Sequence, residues 1–287
     1  MNAELKRKIE CNNIKIKELS YKIYDAIKHG RNFRIICLDI DNTLIDDGKI
    51  RNHMLRSILG EEYDVTMQKA NELYASGHTD DISISSMLIG NMLDKVFEEG
   101  EPRFVGKMDY NRIYRIENFF PGTIEFVSNL LDSRGEDDYV VLVSHHNVDR
   151  EGHSKIDIMY DVFPGLDGIF LPKYHDEPYG IPNRQSVSKA GFVVKTLINY
   201  FKTPIITNLK VYLTGNLFIV DDSSRVLLDS LTCGANIVPF LPSSIPPQII
   251  GRNYYDDFLS RASRYCDLSK VIVEKNNLNN LNKILLK

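Results

Sequence analysis

What the chain lacks narrows its class before any motif is considered. No apolar run among its 287 residues approaches the length of a bilayer span. The opening segment MNAELKRKIECNN has no apolar stretch of the signal-peptide kind, so a soluble, cytoplasmic protein without a membrane partner is expected. The four cysteines, Cys11, Cys37, Cys233 and Cys266, show no paired spacing. That favours reduced thiols over a zinc knuckle or a disulfide framework. A formal net charge of −4 gives no electrostatic reason to expect nucleic acid or an anionic lipid surface as a general partner. Tryptophan is absent altogether, which excludes nothing about function.

What is present is a full core's worth of apolar side chains, 43% of the total, enough for one large domain and a subdomain. Leu5, Ile9, Ile16, Leu19, Ile23 and Ile27 recur at helical spacing, and Gly30 follows as a C-cap. This predicts an N-terminal helix within residues 1–30 whose lysines and arginine form a solvated face. It either covers a sheet or serves as a dimer face. Residues 34–39 are almost wholly apolar, as in a strand buried on both sides. From 48 to 117 helical periodicities dominate, for example SISSMLIGNMLDKVFEE at 83–99. After FFPG the chain alternates helix TIEFVSNLLDS, strand YVVLVS, helix SKIDIMYDVF and strand GIFLP. It continues with helix SKAGFVVKTLINYF, strand LFIVDD, helix SRVLLDSLTC and strand NIVPF. Strands separated by helices of this length predict an α/β fold: a Rossmann-like parallel sheet with helices on both faces and right-handed crossovers. Residues 31–47 and 118–250 then form the core, 48–117 an inserted helical cap, and 251–287 a helical extension.

In an open parallel sheet, ligands bind beyond the carboxyl ends of the strands. The first strand delivers Asp39 and Asp41 there, the second Ser144, and a later one Asp221 and Asp222, while Lys189 opens a helix at that same end. Two acids at the end of a buried strand have an ordinary reading as turn residues, and a sharper one as a cation-holding, reactive pair. Lys195 lies about 9 Å further along its helix than Lys189, and Lys173 sits in the long loop at 172–188; both stay open as alternatives. Asp222 either orients a metal site or caps the next helix. His145, His146 and His153 read as loop or helix histidines rather than ligands, and Phe119 and Phe120 as core.

The ordered set Asp39-Ile-Asp41-Asn-Thr43, Ser144, Lys189 and Asp221-Asp222 resembles the four motifs of the haloacid dehalogenase (HAD) superfamily of phosphotransferases, over about residues 33–242. The insertion directly after the first motif is similar to that family's C1 cap, and FFPGTIEFVSNL to the return into its core. The resemblance implies Asp39 as nucleophile and Asp41 as general acid and base. It implies Thr43, Ser144 and Lys189 as phosphate-binding residues. Mg²⁺ would be held by Asp39, Asp41 (through its main-chain carbonyl), Asp221 and Asp222. An acid at position 41 favours phosphate esters over carbon–halogen bonds within the family. The implied activity is a Mg²⁺-dependent phosphomonoester hydrolase acting through an aspartyl-phosphate on a small metabolite. A 5'-nucleotide is the leading guess, because a C1 cap of this size resembles those of 5'-deoxynucleotidases; Tyr74, His78, Met87 and Asn91 either line a nucleoside pocket or, as is more ordinary at each single position, pack between helices. Alternatives are a sugar-phosphate phosphatase or phosphomutase, a nucleic-acid end phosphatase, and a non-catalytic binding protein on the same fold. Nucleic acid is the less favoured partner, and the sequence leaves oligomeric state open.

Overall fold

The computed structural model describes residues 3–46, 109–146, 149–172, 188–201 and 207–240, with isolated positions between 53 and 68 and between 263 and 285. Most of the expected cap, with Tyr74, His78, Met87 and Asn91, lies outside the described residues. So do Lys173, the rest of the loop to 187, and most of the expected C-terminal extension.

The chain begins with helix α1 (Ala3–Lys28) and strand β1 (Arg34–Leu38). A short helix α2 (Tyr110–Ile113) precedes α3 (Thr123–Ser133), β2 (Asp138–Val143), α4 (Asp149–Val162) and β3 (Gly168–Phe170). Helices α5 (Lys189–Asn199) and α6 (Thr207–Gly215) lead to β4 (Leu217–Asp221), α7 (Ser224–Thr232) and β5 (Asn236–Pro239). The strands form one five-stranded sheet in the order β3-β2-β1-β4-β5, with parallel pairing throughout. This is the expected α/β, Rossmann-like class. Among the described residues no helix is long and apolar enough to cross a membrane.

Both faces of the sheet are covered, which is why its strands carry apolar residues at successive positions rather than alternate ones. Ile36 and Leu38 of β1 pack with α3 and α4 through Val127, Leu130 and Met159. Ile35 and Cys37 face the other way, toward Leu19 and Ile23 of α1, Val193 of α5 and Leu227 of α7. Helix α1 thus covers the sheet. It ends in a Schellman arrangement, with Gly30 at φ +65° and the Arg31 N–H donating to the Ala26 carbonyl at 2.9 Å. Its basic face needs correcting: Lys8 pairs with Asp157 and Asp161 of α4, and Lys15 donates to the carbonyls of Pro164 and Leu166. These lysines dock the helix as well as solvate it. Gly168 permits the close approach, since a Cβ there would lie 2.9 Å from the Ile16 side chain. The buried Asn12 amide donates to the Ile169 carbonyl at 3.0 Å and accepts from the Ile169 N–H at 2.8 Å.

Two helices depart from the pattern. Helix α4 begins at Asp149 rather than near Ser154, because its first turns are buried by charged groups, Glu151 and Lys155, rather than by apolar ones. Helix α6 has no counterpart in the sequence reading: Leu213 is buried while Val211 and Tyr212 are exposed, leaving a weak apolar stripe. The segments on either side of the expected cap meet in the core. Ile45 bridges Phe119, Asp46 N–H donates to the Asn118 carbonyl, and Phe120 N–H to that of Leu44, each of these two bonds at 2.9 Å.

Candidate active site

The sheet register brings the site together. Leu38 pairs with Val220 on one side and Leu142 on the other, so Asp221, the last residue of β4, and Asp39 and Ser144, just beyond the ends of β1 and β2, emerge at the same end of the sheet. Asp39 N–H donates to the Val220 carbonyl at 2.9 Å, and Ser144 N–H to that of Phe170 at 3.1 Å. Asn42 adopts φ +55°, which Asn tolerates better than most residues. The turn it makes returns the chain toward Ile40, whose carbonyl accepts from both Leu44 and Ile45.

Asp39 and Asp41, two residues apart, enter different surroundings. Asp39, Asp221 and Asp222 converge, each offering a carboxylate oxygen within 4.8 Å of the others. Lys189 stands among them, its Nζ 2.6 Å from Asp39 Oδ1 and 2.6 Å from Asp221 Oδ2. The Ser188 hydroxyl caps this helix by accepting from Gly191 N–H at 2.9 Å, which fixes Lys189 at its first position. Burial, assisted by Asp221 and Asp41 and opposed by Lys189, pushes the Asp39 carboxyl up to about 7. Burial alone would lower the Lys189 ammonium, but the paired carboxylates of Asp221 and Asp39 raise it above its ordinary value.

The Asp41 carboxylate is held elsewhere. Its Oδ1 accepts from the Tyr114 hydroxyl at 2.8 Å; its Oδ2 accepts from Ser144 Oγ at 3.0 Å and Lys155 Nζ at 2.5 Å. Lys155 also donates to Ser144 Oγ at 3.0 Å and to the His145 carbonyl, and pairs with Glu151 at 3.3 Å. It has no exposed surface.

Of the expected site residues, Asp39, Lys189, Asp221 and Asp222 gather in the first group, and Asp41 and Ser144 in the second. Asp41's carboxylate does not join the acidic cluster. Asp222 is not the cap of α7; Ser223 is, accepting from Val226 N–H. Thr43 is buried, and its Oγ1 has no hydrogen-bond partner among the described residues. Lys195 lies on α5 beyond Lys189, and Lys173 is outside the described residues. His146 is buried, and its ring would lie 3.3 Å from a Cβ at Gly152. Phe120 is core, and Phe119 meets Phe163 edge-to-face. Sequence reasoning missed Lys155, Tyr114 and Glu151. The available signal was the four-residue step Glu151, Lys155, Met159, which puts two charges on the stripe that ends in a core methionine.

An all-oxygen cluster of three carboxylates, two of them buried, suits a hard divalent cation such as Mg²⁺. No family model matches the sequence, and no curated protein matches it. Solved structures do resemble the fold. L-2-haloacid dehalogenase from Xanthobacter autotrophicus, with chloropropionic acid covalently bound, is 9% identical with a TM-score of 0.49 over 88% of this chain and 98% of that one. YfnB from Bacillus subtilis, assigned to the HAD hydrolases and bound to magnesium, is 13% identical with a TM-score of 0.47 over 89% and 99%. A haloacid dehalogenase-like protein from Agrobacterium tumefaciens is 12% identical with a TM-score of 0.44 over 88% and 98%. At such identities and scores the chemistry has to be argued from the site.

Proposed function

We propose that this chain is a HAD-type phosphomonoester hydrolase with a helical cap at 48–117, acting through an aspartyl-phosphate on a small phosphorylated metabolite. A 5'-nucleotide is the leading candidate. The observation that carries the reading is the divergence of Asp39 and Asp41. One carboxylate lies with two further acids and a lysine; its near neighbour is held apart by a hydroxyl pair and a second lysine. Neighbouring acids in contrasting environments are how one site runs two roles.

Asp39 attacks phosphorus, forming the Oδ–P bond as the P–O bond to the leaving group breaks and its electron pair departs with that oxygen. Asp41 gives a proton to the leaving oxygen, then takes one from the water that attacks phosphorus. The P–Oδ pair returns to Asp39 as inorganic phosphate leaves. Lys189 and the Ser144 hydroxyl stabilise the phosphoryl oxygens, with Thr43 near them. Asp39, Asp221 and Asp222 would hold Mg²⁺, with the Asp41 main-chain carbonyl. When bound, the ion neutralises charge between the attacking carboxylate and the phosphoryl group. The acid at position 41 supports phosphate esters over carbon–halogen substrates.

The test is phosphate release from nucleotides, sugar phosphates and 5'- or 3'-phosphorylated oligonucleotides, with Mg²⁺ or with EDTA, for wild type and Asp39→Asn. The expected result is Mg²⁺-dependent release from free nucleotides that the variant lacks. Equal release by wild type and variant would rule out Asp39 as nucleophile.

A further inference from the structure

The geometry points to Lys155 as a positioning residue, which with Tyr114 clamps the Asp41 carboxylate and aims the Ser144 hydroxyl, without touching substrate itself. An ammonium has three protons to donate. Those of Lys155 are directed at Asp41 Oδ2, Ser144 Oγ and the His145 carbonyl, and the residue has no exposed surface. Nothing remains to reach a phosphoryl oxygen. Tyr114 holds the opposite carboxylate oxygen at 2.8 Å, so both lone-pair edges of Asp41 are engaged and its rotation is stopped. The Ser144 oxygen accepts from Lys155 on one side, so its own proton must point away, to Asp41 in this state or to a phosphoryl oxygen entering beside it. Glu151, buried and one turn before Lys155 on α4, pairs with the ammonium and lies 3.2 Å from the Tyr114 hydroxyl. It holds the clamp from behind. The site therefore contains two buried lysines with separate tasks: Lys189 on the nucleophile's side and Lys155 on the acid–base side.

This inference rests on the phosphatase reading, and the two fail differently in one experiment. The probe is 2,4-dinitrophenyl phosphate, whose leaving group departs without a proton. In a single turnover, dinitrophenolate release reports attack by Asp39, while phosphate release reports hydrolysis of the aspartyl-phosphate, the step in which Asp41 takes a proton from water. Lys155→Met should slow dinitrophenolate release by no more than about tenfold, the cost of one misaimed hydroxyl, while phosphate release slows about 10²-fold beyond that, the scale of a misplaced catalytic group. Phosphoenzyme then accumulates. Tyr114→Phe keeps the ring and removes only the hydroxyl, so it tests the clamp even if Lys155→Met does not fold. It should show the same split, reduced to about tenfold. Equal slowing of both steps would overturn the assignment, because a residue that binds the phosphoryl group or merely supports the fold has no reason to spare the first step. No change in either variant would also overturn it. A wild type that releases neither product with Mg²⁺ would remove the phosphatase reading and the role of Lys155 with it.

Discussion

The two ends of the sheet use the same chemical groups under opposite conditions. At the amino ends of the strands, Arg34 grips Asp138 with two hydrogen bonds, at 2.8 and 2.6 Å, and Arg31 grips Asp137. Arg34 and Asp138 are also register partners of β1 and β2, so the pair staples the correct alignment. These side chains stay partly in water, 23% and 12% exposed for the first pair and 39% and 21% for the second. At the carboxyl ends, Lys189, Asp39 and Asp221 are 4%, 6% and 0% exposed. Wet pairs contribute little and cost little, whereas buried ones carry a desolvation penalty that only near-ideal geometry offsets. A fold can align its strands with the first kind alone. The concentration of the second kind at one end is the physical mark of a site.

The largest test of this contrast is Lys189→Met. It leaves Asp39 and Asp221 buried without their cation and should cost about 3–5 kcal/mol in a denaturant titration of the metal-free protein. Asp39→Asn should act in the opposite sense on stability. The Asp39 carboxyl is raised from 3.8 to about 7, so the folded state holds its proton more tightly than the unfolded state. Its contribution to stability falls as pH climbs through that interval and stays unfavourable above it. Metal-free Asp39→Asn should therefore melt higher than wild type at pH 8, with the gap closing as pH is lowered toward 4. A lower melting point for the variant at pH 8 would mean the acid is not under strain there. The smallest effect belongs to the wet end: Arg34→Gln should change stability by less than about 1 kcal/mol. Burial would raise the Asp138 carboxyl, but Arg34 and the Gly135 N–H outweigh it and lower it. That contribution is present above the ordinary carboxylate range and is lost as pH falls through the lowered value, so Arg34→Gln should matter least in acid.

Much of this arrangement was legible in the sequence because it depends on local pattern. Strands buried on both faces leave unbroken apolar runs, and a polar residue at the end of each such run identifies what reaches the ligand end. Asp39, Asp41, Ser144 and Asp221 were readable for that reason, and Lys189 because a serine cap announces its helix. Lys155 was not, since a lysine on an amphipathic helix is normally solvated, and its pairing with Asp41, 114 positions away in the chain, reverses that. Tyr114 was hidden within a stretch assigned to the cap, although Tyr110, Ile113 and Tyr114 are buried in the core cluster. Helix α6 went unseen because a helix with one well-buried apolar residue leaves almost no periodic trace.

Asn12 has a consequence beyond holding α1 in place. Among the described strands β3 is the outermost on its side of the sheet, and an outermost strand offers a row of backbone groups that another chain can extend. By answering both the N–H and the carbonyl of Ile169, a single side chain stands in for the next strand. On the opposite margin, Val271 bridges Ile237 of β5. Contact at both margins leaves the described sheet edges fewer open backbone groups for another chain to pair with. Removing the Asn12 amide would unpair the Ile169 N–H and carbonyl while the end that carries the acidic cluster stays untouched.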